Sequence, residues 1–154
     1  MEMKTQIHAE ENRQELTITR IFELPVELLF KAYEDAEIVA QWMNTKVLIL
    51  DCRNYGSYRF ETTDPKGNKH YFSGAIHAFK QNESIIRTFE MEQTPFDVSL
   101  EFLAFEALTE ETSKLTMHVI YKSVYMRNEI LKLPFAQGIN WAHNRIQDIM
   151  TKLQ

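Results

Sequence analysis

Residues 135–153, FAQGINWAHNRIQDIMTKL, put Phe135, Ile139, Ala142, Ile146, Ile149, Met150 and Leu153 at helical spacing, one wide apolar stripe on a long closing helix. A helix with such a stripe must cover an apolar surface. Working back from it, residues 46–52, 57–63, 70–80, 84–92, 96–107 and 112–121 read as strands, and residues 15–24 as a first strand with Leu16, Ile18 and Phe22 on one face. The links between the six later strands are short and polar, such as Asn54-Tyr55-Gly56, Asp64-Pro65-Lys66-Gly67-Asn68 and Gln81-Asn82-Glu83, which implies antiparallel hairpins.

Two short helices interrupt this pattern after the first strand. Pro25 ends the strand and opens a helix carrying Val26, Leu29, Phe30 and Tyr33, and a second helix runs over 35–42 to Trp42. A further helical stretch follows Lys122, and Pro134 breaks it from the closing helix. The expected fold class is α+β: a seven-stranded curved antiparallel sheet, two short helices after its first strand, and a long C-terminal helix over its concave face. The 154 residues make one domain, with residues 1–13 a polar, frayed lead-in.

Composition excludes several functions. Ten Phe suit a large apolar interior, whereas a net charge of −5 without any Lys/Arg cluster opposes nucleic-acid binding. The N-terminus has no basic start followed by an apolar run, and no segment reaches membrane-spanning length, so a cytoplasmic protein without membrane insertion is expected. Cys52 is alone, and His8, His70, His77, His118 and His143 lack ligand spacing, so no metal site is expected. The four scattered glycines make no phosphate loop, and no cofactor is expected.

The order of elements, together with Ile18-Thr19-Arg20-Ile21-Phe22, Pro25, Phe30-Lys31-Ala32-Tyr33, Gln41-Trp42, Asp51, Arg53, Gly56, Tyr58-Arg59-Phe60, Asp64-Pro65, Gly67, Gly74 and Tyr121-Lys122-Ser123, resembles the START-like helix-grip superfamily. The similarity is greatest to the branch named after the activator of the ninety-kilodalton heat-shock-protein ATPase, grouped with polyketide cyclase and dehydratase-like proteins. Trp42-Met43-Asn44-Thr45 stands where that branch commonly has paired Trp and Gly-Pro, and Tyr55-Gly56 where it has a double Gly. The resemblance implies a cavity between sheet and closing helix.

Strand parity nominates the cavity wall: Tyr58, Phe60, Leu100, Phe102, Leu115, Met117 and Val119 inward, with Trp42 where the helical pair meets the sheet and Ala142 and Ile146 on the closing helix. Taking Phe79 as inward brings Tyr71, Ser73 and His77 with it, and His77 becomes the candidate polar or acid–base group. Arg20 shares the parity of Ile18 and Phe22, so it pairs with Glu34 or Asp35 or anchors an acidic ligand group. Trp141 falls off the main stripe, to be covered either by the segment over 124–133 or by a second copy of the chain. Three functions fit: binding of a small hydrophobic molecule (lipid, polyketide or flavonoid-like), a cyclase or dehydratase using His77 with Arg20 or Tyr58, or surface stimulation of a chaperone ATPase.

Overall fold

The computed structural model describes residues 3–154 and shows an eight-stranded antiparallel sheet with four helices. In chain order the elements are β1 Gln6–His8, β2 Glu15–Phe22, α1 Val26–Glu34, α2 Ala36–Trp42, β3 Lys46–Leu50, β4 Gly56–Thr63, β5 Lys69–Lys80, β6 Ser84–Met91, β7 Ser99–Ala107, β8 Ser113–Ile120, α3 Val124–Lys132 and α4 Phe135–Thr151. The spatial order is β1-β2-β8-β7-β6-β5-β4-β3. β3 to β8 form a run of hairpins, and the α1–α2 pair carries the chain from β2 to the far edge.

Local chemistry explains each transition. Pro25 lacks an N–H and precedes the first turn of α1, where no intrahelical donor is needed. Asp35 caps α2 by accepting from the N–H groups of Glu37 (3.0 Å) and Ile38 (3.2 Å), and Ser123 caps α3 through the Met126 N–H. Pro134 separates α3 from α4, as the sequence predicts.

β2 and β8 pair in full register, with Leu16 opposite Val119, Ile18 opposite Met117 and Arg20 opposite Leu115, so both strands turn the same parity to the core. α4 seats Ile146 and Met150 fully buried against that face and packs on α1, α2 and α3. An aromatic layer of Phe30, Tyr33, Trp42 and Phe105 joins the helical pair to the sheet, and the Trp42 indole N–H donates to the Ala32 carbonyl at 2.6 Å.

The extra strand is β1. It lies in the stretch the sequence predicts as a frayed lead-in, of which residues 1–2 fall outside the described residues. Gln6, Ile7 and His8 pair with Thr19, Ile18 and Thr17 on the open edge of β2. Three residues of mixed polarity carry no periodic signal, and this strand is made by the edge it covers rather than by its own composition.

Candidate functional site

A cavity of about 460 Å³ lies between the concave sheet and the helices. That is the scale of pockets that enclose small organic ligands. Phe60, Phe89, Met117 and Val119 supply its sheet wall, Tyr33, Val39 and Trp42 the helical pair, and Met126, Ile130 and Ile139 the α3–α4 side. Met43, Met91, Phe96, Leu133, Pro134 and Phe135, drawn from three separate segments, extend the apolar lining, and Ser99 and the exposed Asp97 join it beside Phe96.

One end of this greasy volume is charged. Arg87 on β6 and Glu101 on β7 are direct cross-strand partners, and the Arg87 Nε donates to Glu101 Oε1 at 2.8 Å. Both side chains are nearly buried, at 15% and 10% exposure, and both line the cavity. The Arg87 guanidinium also lies over the Tyr58 ring, 5.1 Å from its centroid. Burial opposes the Arg87 charge, but Glu101 first and then Tyr58 outweigh that and hold its pKa above the usual value. Burial pushes the phenols of Tyr33, Tyr58 and Tyr121 well above their ordinary range, so all three stay neutral donors.

Tyr58 stands behind this pair and does not line the cavity. Its hydroxyl donates to the Thr88 carbonyl at 2.5 Å, and the space for its ring exists because residue 74 is glycine. A Cβ on Gly74 would stand 2.7 Å from the Tyr58 hydroxyl and 2.0 Å from the Thr88 oxygen.

Other predicted site residues fall in three places. Trp42, Phe60, Met117 and Val119 line the cavity; Ala142 and Ile146 belong to the packed layer below it, Ile146 with no exposure at all. Phe102 and Leu100 face the opposite way from their predicted direction: β7 turns Ser99, Glu101, Leu103 and Phe105 inward, and Phe102 sits on the convex face beside His118, ring centroids 6.0 Å apart. His77 is also outside. β5 bulges between Ile76 and Ala78, which pair with the adjacent β6 residues Arg87 and Ile86, so His77 is the extra residue and projects to solvent beside Tyr55.

Arg20 is buried at 4% exposure, but in a clamp beneath α4. It donates to Asn144 Oδ1 (2.9 Å), Asn140 Oδ1 (3.3 Å) and Thr5 Oγ1 (3.4 Å). Its predicted carboxylate partners are engaged elsewhere, Asp35 as the α2 cap and Glu34 with Gln81. Thr5 Oγ1 and His143 Nδ1 lie 2.7 Å apart in the same clamp, and burial, aided by the Arg20 charge, lowers the His143 pKa to about 3. Cys52 stays a thiol: burial, then the Glu34 charge, raise its pKa to about 11. Trp141 is 53% exposed, with the Arg145 guanidinium 4.9 Å from its ring centroid.

Arg87 and Glu101 are the residues sequence reasoning passes over. On β7 both parities carry apolar side chains and a Glu, and Ser99 next to Glu101 on one of them argues that this parity faces water. Among the described residues no group of three or more His, Cys, Asp or Glu converges as a metal site, and no helix is long and apolar enough to cross a membrane.

A curved antiparallel sheet closed by a C-terminal helix over an apolar cavity defines a helix-grip protein. The chain belongs to the family described as activator of Hsp90 ATPase homolog 1-like protein, which it matches over residues 23–151. A comparison with curated proteins found no match. Similar solved structures include protein Ms6760 of Mycobacterium smegmatis (22% identity, TM-score 0.84, covering 98% of this chain and 99% of that one). A protein of Rhodobacter sphaeroides is 17% identical with a TM-score of 0.87, over 98% of this chain and 100% of that one. An HSP90 activator of Plasmodium falciparum is 20% identical with a TM-score of 0.67, over 90% of this chain and 96% of that one. At these identities the likeness is one of fold alone.

Proposed function

We propose that the protein binds a small hydrophobic molecule in the cavity between sheet and α4. The observation that carries this reading is an apolar volume of about 460 Å³ with a buried charged pair at one end. A fold that only needed a core would fill such space with side chains, because each unfilled volume costs packing energy. The expected experiment is a thermal-melt screen of protein stripped of bound lipid against apolar and aromatic compounds. A ligand at a hundred times its dissociation constant stabilises by about 2.7 kcal/mol, a rise of several degrees for a chain of this size. A screen in which no compound moves the melting temperature contradicts the reading.

The family description supports a second reading, stimulation of an Hsp90-type ATPase through surface contacts. Titrating the protein into the chaperone's ATPase assay tests it, and stimulation that survives filling of the cavity would separate the two roles. The cyclase or dehydratase reading needs a new acid–base group, since His77 is solvent-exposed in the β5 bulge.

A further inference from the structure

Within the cavity-binding reading proposed above, on which this inference rests, we infer that the ligand is an uncharged amphiphile whose polar end presents an acceptor to Arg87 and a donor to Glu101. A primary amide or a neighbouring carbonyl and hydroxyl has that pattern; a fatty-acid anion or an amine cation does not.

The argument starts from what the pair leaves undone. Arg87 carries five N–H donors in a planar fork, and one of them, Nε, is bonded to Glu101 Oε1. Beyond that bond and the face contact with Tyr58, the guanidinium makes no further hydrogen bond among the described residues, and neither does Glu101 Oε2. Yet neither side chain is among those with a sealed polar atom lacking a partner, so these groups open onto the cavity they line. Stability alone gives little reason to keep the pair, because buried ion pairs replaced by apolar side chains of similar volume are often neutral or more stable.

Charge then selects the head group. The pair sums to zero, and Asp97, the other charged residue of the lining, is exposed and paired with Lys122 at 3.4 Å, so a neutral ligand leaves the buried balance intact. A carboxylate would bring a second negative charge beside Glu101, and an ammonium a second positive charge beside Arg87, each next to side chains only 10% and 15% exposed. An amide instead accepts from an Arg87 terminal nitrogen through its oxygen and donates an N–H to Glu101 Oε2. Phe60, Phe89, Met117 and Ile130 hold the apolar body.

Equilibrium dialysis of stripped protein against 2-naphthamide, 2-naphthoate and 2-methylnaphthalene, three probes with one apolar body and different heads, tests this. The amide is expected to bind about tenfold or more tighter than either other probe, the scale of a hydrogen bond to a charged group. The double variant Arg87→Met/Glu101→Leu, which removes both charges together, should bring the amide down to the affinity that methylnaphthalene has for the same variant. Equal wild-type affinity for amide and methyl probes, tightest binding of naphthoate, or an amide preference that survives in the double variant overturns the inference while the cavity reading stands. Failure of all three probes to bind removes the cavity reading and this inference with it. The wild-type ranking decides the matter even where the double variant does not fold.

Discussion

Two arginines point from the sheet into the interior, and their surroundings differ. Arg20 lies in a tight polar clamp, bonded to Thr5, Asn140 and Asn144, with His143 beside it and α4 closed over the top. Arg87 has one hydrogen bond, to Glu101, and faces open apolar space. The clamp ties the N-terminal segment and α4 to β2 and so holds the grip shut; the cavity pair holds unused hydrogen-bonding capacity where a ligand would lie. Burial of an arginine therefore says little about its role, whereas the state of its donors says much.

Variants can break this contrast. Glu101→Leu leaves the Arg87 charge buried and unpaired, and a loss of about 3–5 kcal/mol in urea unfolding is expected, against a change near 1 kcal/mol in the Arg87→Met/Glu101→Leu double variant. Arg20→Met is expected to cost about 3 kcal/mol by loss of charge-assisted bonds to the clamp, with ligand affinity unchanged once the protein is folded. If Arg20→Met instead weakened ligand binding as strongly as changes at Arg87, the two regions would not be separate.

The clamp also predicts a pH dependence. His143 has its pKa lowered from 6.5 to about 3, chiefly by burial, so the unfolded chain binds a proton that the folded chain refuses. This contribution is complete above the unfolded value and is lost as pH falls through the window from 6.5 towards 3, by about 1.4 kcal/mol per unit. Unfolding midpoints should therefore fall from pH 6.5 to 5 by the equivalent of about 2 kcal/mol, and His143→Gln should flatten that slope. The smallest effect is expected at the solvent-exposed bulge: His77→Ala should change stability by less than about 0.5 kcal/mol and leave ligand affinity as it was.

These differences also mark what the sequence reveals. The grip was legible because α4 repeats Ile139, Ala142, Ile146 and Ile149 at helical spacing and β2 sets Leu16, Ile18 and Phe22 on one face. Its wall was legible where alternation was clean, at Phe60, Met117 and Val119. β7 misled because Leu100 and Phe102 look like core, while the inward parity includes Ser99 and Glu101. Polar residues argue for solvent only where no cavity lies behind the strand. At His77 a one-residue bulge reversed the parity, which Gly74 alone did not place. β1 was hidden because its order comes from the β2 edge and the Thr5 contacts to Asn140 and His143.

The most direct test of the cavity as a binding site is native mass spectrometry of freshly purified protein, with bound material released by denaturation and identified. The account predicts a species heavier than the 18.2 kDa chain by one small apolar molecule, recovered near one per chain. A spectrum at the bare chain mass, unchanged after incubation with a cell lipid extract, would contradict it.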